Sequence, residues 1–254
     1  MSRERTVART NFRVALGTCL LAWLTTVGAT CGDTGQTHVT AEVVGHGVGD
    51  TTFESAGWSV TLTRADVAFG PAYFCATTAA DVDLCPAAVA ETLDVGVVDG
   101  LSADLQPLGI LEGDTQTVRS ATYDFGITWL ATEPAPLPAR EAPGGHSARF
   151  LGTAVRGADS FDFALDLDIT SANQGDIAIR GARTEHELST RTERLEVTVD
   201  VVAWWAGVDF DALFADAAAA PGERLVIDPN GLNAGVVRTG MTSRALPEFT
   251  WIDN

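Results

Sequence analysis

The carboxylates of Asp162, Asp166 and Asp168 are the first side chains of this sequence whose spacing suggests chemistry. Alternate positions of a strand project to one face, so the three would present their oxygens together. Asp81, Asp83, Asp94 and Asp99 form a second acidic cluster around predicted loops. Calcium takes about six to eight oxygens, commonly from carboxylates and loop carbonyls. It is the cofactor these residues could hold, although no DxDxDG loop occurs. A solvated strand face accounts for the same residues without any ligand. Paired carboxylates also serve polysaccharide hydrolysis when they stand about 5–9.5 Å apart across a cleft.

Imidazoles are the alternative metal ligands. Beyond residue 30 the chain has His38, His46, His146 and His186, with Met241 as its thioether, so copper or zinc would rely on histidine. His38 and His46 flank one predicted strand and lie ~26 Å apart when it is extended. They share an ion only if a hairpin folds between them. Trp204 and Trp205 are neighbours at the end of a predicted strand over 195–203. Neighbours in a strand face opposite ways, so one Trp belongs to the core and the other is partly exposed. An exposed indole stacks on a sugar ring or anchors a partner. Packing beneath the following helix is the competing role.

Three segments imitate catalytic motifs. Gly45-His46-Gly47-Val48-Gly49-Asp50 has Asp where a dinucleotide loop needs its third glycine, and no amphipathic helix follows. His186-Glu187-Leu188-Ser189-Thr190 lacks the second histidine of a zinc-protease helix. Gly145-His146-Ser147-Ala148-Arg149 ends in Arg where a nucleophile elbow needs Gly. They read as a strand connection, an exposed turn or strand edge, and the start of a strand.

The elements that would position these residues are mostly strands. Period-2 alternation runs through 58–62, 123–129, 161–169 and 195–201. Each run has one apolar and one polar face, which favours antiparallel sheets over parallel sheets buried on both sides. The apolar phase shifts after Leu62, which predicts a bulge or corner near Arg64. Gly157-Ala158-Asp159 predicts a turn between strands near 147–156 and 160–170. Four prolines between Glu133 and Gly145 predict a long surface loop. Asp209 can cap a helix over 210–219, ended by Pro221-Gly222. A weaker helical turn is expected near Pro86–Glu91. The fold class that follows is mainly β: an antiparallel β-sandwich with one short helix near residues 210–219.

The first residues read as an export signal. Arg3, Arg5, Arg9 and Arg13 precede an uncharged run from Val14 to Gly32, and small residues close it. That run is 19 residues long, close to the ~20 that span a bilayer, so a retained anchor is an alternative. Val27, Ala29 and Cys31 resemble the lipobox of bacterial lipoproteins, with Gly28 and Thr30 departing from its usual Leu and Gly or Ala. The resemblance covers only the first 33 residues. It implies acylation of Cys31, a membrane partner reached through the lipid, and residence in the periplasm or at the outer membrane or cell surface. Cleavage after Ala29 without lipidation also fits. The organisation expected is a signal over 1–30, a polar tether over 31–37 and one β-sandwich domain over 38–254.

Charge narrows the partners. Removing residues 1–30 takes away four of 16 basic and one of 34 acidic residues, leaving 12 against 33 and a net charge of −21. Such a surface repels nucleic acid and anionic headgroups. All basic residues are arginine. In an oxidising compartment Cys75 and Cys85 should form a disulfide, worth up to ~2.7 kcal/mol in the chain-entropy model. Taken together, the sequence describes an exported envelope protein with a binding or structural role. Its partner would be another envelope protein or a glycan, with the Pro-rich segment 133–145 and the disulfide loop 75–85 as contact surfaces. A metal-binding lipoprotein and a carboxylate hydrolase acting on polysaccharide are the alternatives.

Overall fold

The computed structural model describes residues 35–78, 85 and 88–254. Cys31, Asp81, Asp83 and Pro86 lie outside them. The chain runs through β1 (His38–Gly47), β2 (Thr52–Ser55), β3 (Trp58–Phe69), β4 (Ala72–Cys75), β5 (Ala88–Thr92), β6 (Gly96–Asp99), β7 (Gln106–Asp114) and β8 (Thr117–Tyr123). It continues through β9 (Ile127–Thr128), β10 (Leu137–Pro138), β11 (Ala148–Arg156), β12 (Asp159–Leu167), β13 (Ile179–Glu187) and β14 (Thr192–Val199). The C-terminal part alternates helix and strand: α1 (Val201–Trp204), α2 (Phe210–Ala217), β15 (Leu225–Val226), α3 (Leu232–Thr239), a π-helical turn (Gly240–Arg244) and β16 (Glu248–Asp253).

The protein is mainly β, with sheets of mixed strand orientation and a few short helices. One sheet has eight strands in the order β13-β8-β4-β5-β7-β1-β14-β16. A second large sheet runs β15-β12-β11-β3-β2, with β6 pairing the far half of β3, and β9 and β10 form a separate two-stranded sheet. Most pairings are antiparallel, as the wet strand faces imply. Two are parallel: β1 lies beside β14 and β12 beside β15.

Several local features follow directly from residue chemistry. Arg156 pairs with Asp159 across a two-residue turn, and Gly157 at its first position has φ +63°, the place for glycine in a type II′ hairpin. Opposite Leu151 and Gly152 the partner positions jump from Arg64 to Leu62, leaving Thr63 as the extra residue of the expected bulge. Asp209 caps α2 by accepting from Ala212 N. The disulfide joins Cys75 and Cys85.

Other expectations are corrected. The run 123–129 is not one strand: β8 ends at Tyr123, Gly126 turns at φ +72°, and only Ile127–Thr128 resume pairing. Residues 88–92 are strand rather than a helical turn, because they pair with both β4 and β7. The Pro-rich segment contains a short strand, β10, paired with β9, and Pro143 is buried. The strand expected over 195–203 stops at Val199, and α1 begins where the Asp200 side chain accepts from Ala203 N. The helix near 210–219 ends at Ala217 and has α1 and α3 for company.

Both sheets and the helices share one hydrophobic core. The inner face of β3, β11 and β12 sets Trp58, Phe150, Phe161 and Phe163 against Trp205, Phe210 and Phe214. The eight-stranded sheet gathers Phe74, Tyr123, Phe249 and Trp251, and Phe69 at the end of β3 packs on Tyr123. Its two terminal strands meet through side chains. The His186 ring on β13 stacks on Trp251 of β16 at 4.8 Å, and Trp251 Nε1 donates to Thr184 Oγ1 at 2.9 Å. Thr192 Oγ1 donates to Asp253 Oδ1 at 2.9 Å beside His186 Nε2. The sheet therefore curls until its edges are clasped, which protects two edges that would otherwise offer unpaired backbone. Trp251→Ala should lower unfolding free energy by about 3 kcal/mol, the low end for truncating a core tryptophan because this ring is only half-buried. Urea unfolding followed by far-UV circular dichroism measures the loss.

Candidate functional site

The expected acidic face lies on the outer side of β12 and its neighbours. Strand pairing sets Asp162 opposite Thr153 and Asp166 opposite Arg149. Thr153 Oγ1 donates to Asp162 Oδ1 at 2.6 Å. The Arg149 guanidinium grips Asp166, Nε to Oδ1 at 2.8 Å and Nη2 to Oδ2 at 3.4 Å. On the other side Arg149 pairs with Asp66, which accepts from Arg64 Nε at 2.6 Å. Asp166 and, more weakly, Asp66 hold the Arg149 guanidinium above its usual pKa. His146 Nδ1 meets Asp168 Oδ1 at 2.8 Å, and Nε2 stands 3.8 Å from Asp166 Oδ2.

This arrangement is a ladder of alternating charge across three strands. Its members are partly solvated, so each pair contributes at most about 1 kcal/mol. Asp162 and Asp166 are four positions apart on one strand, ~13 Å, and each already has its own donor. They do not converge. His38 faces Asp114 at 4.0 Å. His46 is held by Gly47 O at 2.8 Å and Thr198 Oγ1 at 3.1 Å, so both ring nitrogens have partners. The two histidines occupy the same strand, with no hairpin between them. Asp94 sits beside Ile110 N at 3.4 Å, and Asp99 Oδ1 accepts from Leu101 N at 3.0 Å within its own turn. Among the described residues no group of three or more His, Cys, Asp or Glu is placed to hold a metal ion.

Trp204 and Trp205 correct the expectation that one of them is exposed. Both are fully buried. They lie on α1 and its C-terminal end, so strand alternation does not apply to them. Trp204 Nε1 donates to Ala245 O at 2.7 Å, and the Trp205 ring meets Phe163 at 5.1 Å and Phe150 at 5.5 Å. They are core residues that dock the helices.

A cleft that the sequence did not mark lies beside β12. It encloses about 440 Å³ between Ser160-Phe161-Asp162 on one side and Phe214, Ala217 and Pro221-Gly222-Glu223-Arg224 on the other. The docking of α2 creates it. Asp211, in the first turn of α2, accepts from Trp58 Nε1 at 3.1 Å and from Arg156 Nη1 at 2.5 Å. Arg156 also lies over the Trp58 ring, 4.3 Å from its centroid. These contacts hold Phe214 against Phe161 at 6.1 Å. Two aromatic rings, two carboxylates and an arginine thus line one cleft. Asp162 belongs to it, while Asp166 and Asp168 do not. A second surface depression of about 410 Å³ lies along α3. Among the described residues no helix is long and apolar enough to cross a membrane. No protein-family model matches the chain, and no curated protein or solved structure matches it.

One buried carboxylate stands apart from every expected site. Asp124 has no exposed surface. Its Oδ1 accepts from Ala178 N at 2.8 Å and its Oδ2 from Thr128 Oγ1 at 2.9 Å. Burial outweighs these two bonds and pushes its pKa up to about 6. A carboxyl whose pKa is higher in the folded state binds its proton more tightly there than in the unfolded chain. Its contribution therefore favours folding most below about pH 4 and is lost as pH rises towards the folded value of about 6. Asparagine can keep both bonds, accepting from Ala178 and donating to Thr128. Asp124→Asn should flatten the pH dependence of stability between pH 4 and 6 and raise stability at pH 7 by roughly 1–3 kcal/mol. Chemical denaturation across that range, compared with wild type, reads both effects.

Proposed function

We propose that this chain is an exported, lipid-anchored domain of the bacterial cell envelope with a binding role, and that its ligand sits in the cleft between β12 and α2. The observation that carries the export half of the reading is the Cys75–Cys85 disulfide. A structural disulfide belongs to an oxidising compartment, and the arginine-rich leader with its apolar run and Cys31 supplies the route there. The net charge of −18 for the whole chain weighs against nucleic acid as a partner.

The cleft supports a hydroxyl-rich or mixed-polarity ligand. Phe161 and Phe214 offer apolar surface, while Asp162, Glu223, Arg224 and Ser160 offer acceptors and donors. That combination suits a glycan or a short segment of another envelope protein. A carboxylate hydrolase is the second reading, because Asp162 and Glu223 line the same cleft. The metal-binding alternative has less support, since Thr153, Arg149 and His146 already engage the outer-face carboxylates.

Cell fractionation tests the anchor. Wild-type protein is expected in the detergent-soluble membrane fraction, with a mass at Cys31 that includes acyl chains. Cys31→Ser should shift the protein to a soluble fraction or leave its leader uncleaved. Recovery of the wild type from the cytosol with residues 1–30 intact would defeat the proposal. Incubating the purified protein with envelope polysaccharides separates binding from hydrolysis: loss of product with both Asp162→Asn and Glu223→Gln, while the sugar is still bound, identifies the hydrolase.

A further inference from the structure

Helix α3 carries Leu232, Gly235, Val236 and Thr239 at the i, i+3, i+4, i+7 spacing of a single face. The opposite face is the anchored one, with Ala234 and Val237 fully buried. The outward face is open at Leu232, which is 91% exposed, more than any other large apolar side chain among the described residues, while Val236 is partly buried with one side against the core. The depression of about 410 Å³ follows this face and is lined by Leu232, Gly235, Val236, Thr239, Arg238 and Arg244, with Asn230 and Gly231 at one end.

Two glycines of this region differ in what they accomplish. A Cβ on Gly240 would come within 2.6 Å of Trp204 Cα and 2.7 Å of its carbonyl oxygen, so the approach of α3 to α1 requires glycine there. A Cβ on Gly235 would meet nothing within 4 Å. Glycine is the poorest helix former after proline, and inside an eight-residue helix it weakens an element that is already short. No close contact among the described residues requires it. Its effect is to leave the helix backbone accessible from outside, between Leu232 and Thr239. The chain then widens into a π-helical turn at Gly240–Arg244, an irregularity often found at functional sites.

The charge at this face is opposite to that of the chain as a whole. Arg238 Nη2 donates to Pro229 O at 2.9 Å, and Arg244 Nη2 donates to Trp204 O at 3.0 Å and Ala203 O at 3.3 Å. These are neutral carbonyl partners. Among the described residues neither guanidinium has a carboxylate within ion-pair distance. Each guanidinium carries five N–H donors, so most remain available for an anion. The net charge of −18 repels acidic molecules at long range, but salt confines that repulsion to about 8 Å at physiological ionic strength. The two arginines are the charged residues that line the depression, with Asp228 held by Asn230 N at its far end. A second copy docked face to face on α3 would bring arginine against arginine.

We propose that the face of α3 docks an acidic segment of a partner protein. One apolar side chain of that segment sits over Gly235 between Leu232 and Val236, and a neighbouring carboxylate engages Arg238 and Arg244. This site is separate from the cleft beside β12, and either can fail without the other.

The probe is a blocked heptapeptide of alternating aspartate and leucine, titrated into the ¹⁵N-labelled protein and followed by amide chemical shifts. Shifts should concentrate at Leu232, Gly235, Val236, Thr239 and Arg244. Gly235→Met places its side chain in the open space and should weaken binding at least about tenfold. Arg238→Gln, which can still donate to Pro229 O, should weaken it by a similar factor and reduce its salt dependence. Should Gly235→Met fail to fold, as judged by its amide spectrum, Arg238→Gln and salt dependence still decide the matter. Equal binding of a lysine–leucine peptide of the same length overturns the proposal, as do shifts confined to other surfaces. Protection of the same amides by phosphatidylglycerol vesicles, without an effect of the acidic peptide, assigns the face to a membrane and overturns it too.

Discussion

The architecture turns on a junction of hydrogen bonds around Asp124, two from its backbone and two to its enclosed side chain, where the chain passes from one sheet to the other. After β3 the chain turns at Gly70-Pro71 and enters the eight-stranded sheet as β4. Gly70 N donates to Asp124 O, and Asp124 N donates to Pro71 O, both at 3.0 Å. The side chain then reaches Ala178 N, just before β13, and Thr128 Oγ1 on β9. One residue thus ties together the corner, the end of β8, the short β9 and the approach to β13. Removing a carboxylate from water is costly, and a low-dielectric surrounding also strengthens the bonds it makes. The raised pKa is the signature of that balance: burial is the larger effect, and the hydrogen bonds offset only part of it.

The position of β13 has consequences at the far end of the sheet. β13 and β16 are its terminal strands, and they meet because the sheet curls enough to bring Trp251 under His186. Between the sheets, small residues permit β6 and the turn after it, which belong with β3, to approach β1 and β7 closely. A Cβ on Gly47 would lie 1.9 Å from Gly100 O, and one on Gly96 would lie 2.6 Å from Leu108 Cδ2. The helices then close the remaining side of the core. α1 contributes Trp204 and Trp205, α2 is pinned by the Asp211–Trp58–Arg156 contacts, and α3 rests on α1 at Gly240. Both surface depressions are by-products of this layer, one beneath α2 and one along α3. Both of these candidate surfaces involve the helices that cover the sheets, α2 together with β12 in one and α3 in the other.

That involvement explains why the candidate site was harder to read from the sequence than the fold. Asp162, Asp166 and Asp168 do share a face, as their spacing requires. Their neighbours on β11 are what decide their chemistry, since Thr153 and Arg149 are matched to them by strand register alone. Asp162 reaches the cleft only because α2 and the 221–224 turn fold over β12. Nothing local to Leu232–Thr239 marks a helix: two adjacent valines and an internal glycine argue against one, and burial of Ala234 and Val237 overrides that preference. Trp204 and Trp205 continue an apolar pattern that looks like strand, yet Asp200 supplies an N-cap and turns the backbone into α1.

The sequence by itself determined the alternation of the strands, the Gly157 hairpin, the bulge at Thr63 and the cap at Asp209. Each of these depends on interactions within a few residues or on one face of one element. It also determined which two cysteines could pair. Only the tertiary structure decided that β1 runs parallel to β14, that the edges of the large sheet are clasped by Trp251, and that Asp124 is enclosed. It likewise decided that both tryptophans are core and that α3 presents an open, arginine-flanked face. These depend on contacts between segments distant in the chain, where steric fit and desolvation, rather than local preference, select the partner.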